Sequence, residues 1–437
     1  MLRRTRALRD PVTIHLDGEP VPAERGEPLA VALLASDHVR LARSPKLHRP
    51  RSPSCLRGGC DGCLARVDGV PNVMTCLRPT AGGEQIETQN VLGSRNADIL
   101  RLADWFFPKG IDHHHLMAGV PGLQDVMQSF AQKIAGLGRL PARTEAARPA
   151  RRAEVDAAVV GAGPAGVAVA SRLAAAGFSV TLIDDGDAPC EALAGARATS
   201  PRYPNRAAEV LAEHPLTGAG TGAGAGGNVQ VLQRHVAAGV YLGELLVAGD
   251  EGALVLCARA TIFATGAHDG MVAVPNNDLP GVFSARALCR LLAHGLEPTG
   301  PVVLVGEGFW ADELAARLGP ALAARAPLSS LAEVRGSSEV RGVILEEGAP
   351  PRRRTVKAVA VALAAPGAPA FEVAAQAGAE ARYAKGVGYA VHVDDRGRAA
   401  EGVWAVGECT GAPADVGAIL ESARIVAADV QAALAGR

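Results

Sequence analysis

The sequence predicts two fold classes in one chain: a small α+β domain at the N-terminus and a parallel α/β architecture beyond about residue 154. Three observations carry this. Four of the eight cysteines crowd into Cys55-x4-Cys60-x2-Cys63-x12-Cys76, among short strand-like runs. The segment Val-Val-Gly161-Ala-Gly163-Pro-Ala-Gly166 follows an apolar run and leads into a helical pattern. From Val155 onward strand and helix patterns alternate, the mark of a parallel α/β fold. At 437 residues the chain exceeds one ordinary core and suits several domains.

Composition narrows the function classes. A formal charge of -1 with 48% hydrophobic and 20% charged residues is a soluble globular balance and argues against a nucleic-acid or anionic-membrane partner. The cysteines are clustered rather than spread as a disulfide framework, which points to metal in a reducing cytosol. The start, Met-Leu-Arg-Arg-Thr-Arg, runs into Asp10-Pro11 without an apolar stretch, so no export signal is expected. No run of about 18 apolar residues occurs, so no membrane span is expected. A cytoplasmic location follows as the expectation.

Taken in order, Val12–Leu16 and Glu19–Pro22 flank Asp17-Gly18, a hairpin turn signal. Pro28 to Ser36 is apolar at helical spacing, and proline suits a first helical turn. The cysteine loop comes next. Cys63 to Val67 and Val70 to Cys76 bracket a second turn, Asp68-Gly69, and Gln85 to Thr88 completes the set. Strand, strand, helix, loop, hairpin, strand is the order of a β-grasp ferredoxin-like domain. The Cys-x4-Cys-x2-Cys spacing is that of the plant-type [2Fe–2S] loop, so Cys55, Cys60, Cys63 and Cys76 are the expected ligands. Gly58, Gly59 and Gly62 are expected to let backbone amides approach sulfur where a Cβ would collide. The alternatives are a four-cysteine zinc site and four unligated thiols. Zinc ribbons present two Cys-x2-Cys knuckles, and this chain has one. The Cys63–Cys76 gap is shorter than in photosynthetic ferredoxins, which leaves Cys76 the ligand least fixed by spacing.

Residues 91–138 read as amphipathic helix and 139–154 as a linker. Asp156 to Val160 is an apolar strand, and Gly161-Ala-Gly163-Pro164-Ala165-Gly166 turns into a helix from Val167 to Ala176. The first glycine allows the tight turn, the second lets backbone meet a pyrophosphate, and the third permits close helix–strand packing. Pro164 stands where the helix begins, with exposed amides for phosphate. Ser179 to Ile183 is a second strand ending at Asp184, an acid positioned for ribose hydroxyls. Thr217 to Asn228 is a low-complexity, mobile loop by composition. Thr261-Ile-Phe-Ala264-Thr265-Gly266 ends in the Ala-Thr-Gly seen in two-dinucleotide-domain flavoproteins. Gly402-Val-Trp-Ala405-Val-Gly407-Glu408 leads into a helix over Gly417 to Ala428. Flavoproteins of that type normally carry Gly-Asp at this turn, with the carboxylate on the flavin ribityl hydroxyls; Glu408 is one methylene longer. A third turn, Val302-Val-Leu-Val-Gly306-Glu-Gly308-Phe-Trp-Ala311, satisfies G-x-G-x-x-A. However, Phe309 and Trp310 sit where the helix should open, and no clear strand ending in an acid follows. It reads as a reduced relic, with an NAD(P)H site as the alternative.

These pieces resemble the α subunits of heteromeric sarcosine oxidases and the related hydrogen cyanide synthase and D-hydroxyproline or opine dehydrogenase complexes. The stretches are Arg43-Ser-Pro-Lys-Leu-His-Arg-Pro-Arg51, Ala135-Gly-Leu-Gly-Arg-Leu-Pro141, Ala264-Thr-Gly-Ala-His-Asp269, Asp278-Leu-Pro-Gly-Val282 and Gln376-Ala-Gly-Ala-Glu380, in this order. The resemblance implies an α/β glutathione-reductase-type FAD/NAD(P)-binding Rossmann fold with a shortened second lobe, behind the N-terminal α+β domain. It further implies FAD at the first turn, with NAD or ATP in some members, and a second flavin such as FMN at a subunit interface. A partner β subunit bearing flavin would oxidise the substrate, and electrons would pass to an external acceptor. Two departures stand out. Sarcosine oxidase α subunits have the β-grasp domain without cluster cysteines, and the cyanide synthase type carries the cluster on a separate small subunit.

The expected divisions are 1–95, 96–153, 154–270, 271–375 and 376–437. The expected function is an FAD-dependent, [2Fe–2S]-containing oxidoreductase subunit of an amine or imino-acid dehydrogenase or oxidase. The alternatives are a self-sufficient NAD(P)H-dependent reductase and a non-catalytic nucleotide-binding scaffold. Cys190, Cys257, Cys289 and Cys409 lack redox spacing and read as buried thiols. Asp112-His113-His114-His115 cannot share one ion from adjacent helical positions and reads as a surface or interface feature. Tyr203, Tyr241 and Tyr383 have no interpretable spacing. No acid–base residue is proposed.

Overall fold

The computed structural model describes residues 1–44, 48–89, 91, 93–102, 105, 149–216 and 229–436. The expectations for helix beyond residue 105, for Asp112–His115, for Ala135–Pro141, for most of the linker and for the loop Thr217–Asn228 lie outside them. The chain forms two compact units, one from the described residues of 1–145, 271–307 and 314–364, the other from those of 146–270, 308–313 and 365–437.

The first unit holds the β-grasp sheet. Its strand order is Glu19–Glu24, Pro11–Leu16, Gln85–Glu87, Leu64–Val67, Val70–Met74. Both hairpins close through two residues at positive φ, Asp17 (51°) with Gly18 (86°) and Asp68 (50°) with Gly69 (81°). That is the primed turn whose twist matches paired strands. Gln85–Glu87 then enters parallel to Pro11–Leu16. The helix Leu29–Ala35 buries Leu29 to Leu34 without a break.

The same unit contains a second lobe. Val302–Gly306 runs parallel between Leu322–Ala326 and Ala360–Pro369, and a three-stranded antiparallel sheet (Leu331–Gly336, Val340–Glu347, Arg352–Lys357) joins its core. So a strand does follow the Gly306 turn, but it ends at Ala326 before Pro327, with no acid. The basic N-terminus is also structural. Leu2–Arg4 pairs antiparallel with Leu296–Pro298, and Arg4 forks onto Glu27 at 2.7 and 2.8 Å. Arg6 bonds Glu24 and holds its carboxyl below the ordinary range. Two family-like stretches meet here too, through Arg51 and Asp278 at 2.7 Å.

The second unit is built on a mostly parallel sheet. Its parallel strands run Val229–Leu232, Val180–Ile183, Arg151–Val160, Gly252–Phe263, Val403–Ala405, and a hairpin (His235–Tyr241, Glu244–Gly249) extends it antiparallel. The first strand starts at Arg151, inside the expected linker, because residues 151–155 pair with Leu254–Ala258. The helices Pro164–Ala175 and Val416–Ala435 share one core of alanine, valine, leucine and isoleucine, including Val167, Leu173, Ala423 and Val430. Small side chains let the two helices and the sheet approach closely. Asp429 anchors the long helix inside this unit: its carboxylate accepts from Arg398 (2.8 Å) and from Trp404 Nε1 (3.0 Å). The Arg398 contact foremost holds that carboxyl below its ordinary range.

Candidate redox and dinucleotide sites

The cysteine loop brings its thiols together in pairs. Cys55 donates to Cys60 Sγ at 3.4 Å, and Cys63 pairs with Cys76. Two thiolates on one tetrahedral metal stand about 3.8 Å apart for a metal–sulfur bond of about 2.3 Å, so the Cys55–Cys60 spacing is already close to ligand spacing. The Thr75 hydroxyl donates to Cys63 O at 2.8 Å, which ties the second pair's backbone together. Among the described residues no group of three or more ligands surrounds a single point. A mononuclear zinc site needs four donors around one ion. A two-iron cluster needs two donors per iron, a number that two thiol pairs can supply.

The thiols are electrostatically unequal. Cys60 is pulled down to about 5, first by the Cys55 thiol that donates to it and then by Ser54 and the Gly62 amide. Cys55 is pushed up by that donation and by burial, and Cys63 is pushed up by donating to Cys76 and by burial. Amides of Arg57 and Gly59 bond Cys55 sulfur. The amides of Gly59 and Gly62 approach sulfur as expected, and packing adds a second reason for glycine at two positions. A Cβ at Gly62 would stand 1.9 Å from Ser52 O, and one at Gly58 would meet Leu77 Cδ1 at 2.7 Å with φ at +73°. Packing on the Ser52 carbonyl requires glycine at 62, and the positive φ favours it at 58.

The first glycine turn is built as its spacing predicts. Gly161 has φ +100°, and a Cβ there would lie 2.3 Å from Ala264 O; at Gly166 it would lie 1.8 Å from Gly161 O. Gly163 is different: its φ of -68° suits any residue, and nothing lies within 4 Å of a Cβ built on it. The open space at the head of the helix Pro164–Ala175, with Pro164 at its first position, is a cradle a pyrophosphate can fill. Asp184 ends the next strand, where its carboxylate accepts from Ala162 N at 2.6 Å and Gly186 N at 2.8 Å. Those two amides, which sequence reading missed, set the acid's orientation.

The remaining predicted residues converge on this turn within the unit. Gly266 (φ +70°) follows Thr265, whose hydroxyl donates to Ala370 O at 2.6 Å. Gly407 has φ +84° and ψ -154°, open only to glycine, and a Cβ there would sit 3.4 Å from that of Ala165. Glu408 Oε2 lies 3.9 Å from a Cβ built on Gly266, so the longer carboxylate reaches the Ala-Thr-Gly segment. Cys409 is fully buried, donates to Phe263 O and Val406 O at 3.4 Å, and is pushed up by burial. Cys190 is likewise raised to about 12 by burial. Neither has the character of a reactive thiolate.

Comparison with known proteins agrees with both halves. Residues 9–91 match the 2Fe-2S iron-sulfur cluster binding domain, and residues 155–328 match the pyridine nucleotide-disulphide oxidoreductase family. Sarcosine oxidase subunit alpha of Rhizobium meliloti is 27% identical over 317 residues, 66% of this chain and 31% of that protein. The chain thus spans about a third of that relative's length. Hydrogen cyanide synthase subunit HcnA of Pseudomonas aeruginosa is 37% identical over 83 residues, 19% of this chain and 78% of that protein. The crystal structure of L-proline dehydrogenase from P. horikoshii superposes with a TM-score of 0.69 at 20% identity, covering 98% of this chain and 75% of that one, and so shares the fold.

Proposed function

We propose that the chain, similar to sarcosine oxidase subunit alpha and hydrogen cyanide synthase subunit HcnA, is the electron-transferring α-type subunit of an amine or imino-acid dehydrogenase or oxidase. Its domains are those of a [2Fe–2S] protein and a flavin- or pyridine-nucleotide-dependent oxidoreductase. Cys55, Cys60, Cys63 and Cys76 would hold the cluster. Gly161, Gly163, Pro164, Ala165, Gly166 and Asp184 would hold the adenosine diphosphate half of FAD, with Thr265, Gly266, Gly407 and Glu408 toward the flavin. A flavin accepts two electrons and releases them singly, and a two-iron cluster passes one at a time.

The carrying observation is the two-by-two pairing of the thiols on a chain that also folds a complete glycine turn with its acid. This chain's residues do the holding: paired thiolates take the irons, helix amides take phosphate, and Asp184, fixed by Ala162 and Gly186 amides, takes ribose hydroxyls. Substrate oxidation is assigned to a partner subunit bearing flavin, with transfer onward to an external acceptor. Among the described residues no helix is long and apolar enough to cross a membrane.

Anaerobic purification tests the reading. The expected product has about two irons and two sulfides per chain, flavin absorbance, and an EPR signal on reduction. Mass spectrometry of the extracted nucleotide should return FAD. NAD or ATP in its place favours a scaffold role, and a chain free of iron and flavin after reconstitution overturns the proposal.

A further inference from the structure

Within the first unit, one buried cation from the second lobe reaches the cluster loop. The helix Ala285–Ala293 carries Arg290, 8% exposed, and its guanidinium donates to Leu56 O. Ser284, which caps that helix with its side chain, donates its own amide to Ser54 O at 2.8 Å. Leu56 follows the ligand Cys55 and has φ +54°, a left-handed conformation unfavourable for a leucine. The carbonyl that Arg290 grips belongs to the same peptide unit as the amide of Arg57. That amide donates to Cys55 Sγ at 3.4 Å. A continuous line therefore runs from guanidinium to carbonyl, across one peptide, to ligand sulfur.

We infer that Arg290 is a positioning residue that raises the reduction potential of the cluster by holding and polarising the Leu56–Arg57 peptide. The inference rests on the reading that Cys55, Cys60, Cys63 and Cys76 ligate [2Fe–2S]. Reduction adds one electron, breaks no bond, and leaves one more negative charge among four thiolates. A guanidinium bonded to a peptide carbonyl draws density toward that oxygen and strengthens the N–H dipole at the other end. The strengthened dipole points at sulfur and favours the more negative state, the known lever of hydrogen bonds to cluster sulfurs. Because Arg290 is buried, water screens little of its own charge, which acts in the same direction. Its contact with Leu56 O also holds the left-handed turn that aims the amide.

The test is an EPR-monitored redox titration of the full-length, cluster-loaded protein and of R290M, R290Q and R290K. For R290M the reduced-to-oxidised ratio at a fixed ambient potential should fall on the order of tenfold, about 59 mV for a one-electron couple. R290Q, which keeps a donor without the charge, should fall in the same direction and serves if R290M does not load iron. R290K should recover most of the shift. R290M or R290Q with full iron and an unmoved potential overturns the inference. Loss of iron from all three, R290K included, also overturns it by reducing the contact to a support of the fold. A native chain that binds no iron and sulfide sinks the cluster reading itself, a distinct outcome.

Discussion

The two glycine turns of this chain share a backbone and differ in what surrounds it. Gly161 and Gly306 both take strongly positive φ, +100° and +113°, and a Cβ on either would lie 2.3 Å from a carbonyl of the neighbouring strand, Ala264 or Ala364. After that the turns diverge. The first continues through Gly163 at an ordinary φ into a proline-headed helix, with Gly166 pressed against Gly161 O. The second passes through Gly308 at +94° into Phe309 and Trp310, stacked edge to face at 5.0 Å, with Ala311 buried at the third position. Phe309 and Trp310 pack against the hydrophobic core of the second unit. The first turn is followed by Asp184, the second by Ala326 and Pro327. A tight turn is thus a property of the strand it ends, whereas nucleotide binding depends on an open helix head and an acid.

The comparison breaks most readily at its third positions. Gly166→Val should abolish cofactor retention and cost more than about 3 kcal/mol, because the new side chain meets backbone rather than a movable side chain. Ala311→Gly in the second turn should cost about 1 kcal/mol and leave the cofactor bound. Denaturant unfolding and cofactor content read both, and equal losses would erase the distinction. NADH sharpens the next point. Mixed anaerobically with the flavin-loaded protein, it should bleach the flavin more slowly than about 1 s⁻¹, below ordinary turnover. Rapid bleaching in stopped flow would restore a nicotinamide role to Gly306 and Gly308. An effect no larger than that of Ala311→Gly belongs to Asp429, which secures the last helix of the first turn's sheet. Its carboxyl titrates lower folded than unfolded, so its stabilisation is present above the unfolded value of about 3.9 and is lost as pH falls through the folded value. Asp429→Asn should lower the melting temperature by about 2–4 °C at pH 7. That deficit should shrink in acid below about pH 4, as followed by circular dichroism.

Local chemistry made much of this readable. Asp17-Gly18 and Asp68-Gly69 announced their hairpins because both central residues need positive φ. The strand–turn–helix–acid order around Gly161 announced the turn and the placing of Asp184 beside it. Elements held by distant partners stayed hidden. Leu2–Arg4 looks like a basic tail until Leu296–Pro298 pairs with it. Leu322–Ala326, Leu-Ala-Ala-Arg-Ala, has no β-branched residue to mark a strand, yet its parallel neighbour holds it as one. Arg151, Arg152 and Glu154 are polar at an exposed strand start, and Ala153 alone gives no alternation to mark them. Gly58 and Gly62 were recognisable as required, but the atoms requiring them, on Leu77 and Ser52, belong to other parts of the loop's surroundings. Arg290 carried no signal at all, since its partner lies 234 residues away.

The pairing of Leu2–Arg4 with Leu296–Pro298 imposes an order on biogenesis. Leu2–Arg4 is made nearly three hundred residues before Leu296–Pro298, so this strand stays unpaired until its partner has left the ribosome. Until then Leu2, buried in the finished protein, stands in water, and Leu56 O lacks the guanidinium of Arg290. The cysteine loop is therefore translated early and braced late, once the helix Ala285–Ala293 brings Arg290 to Leu56 O.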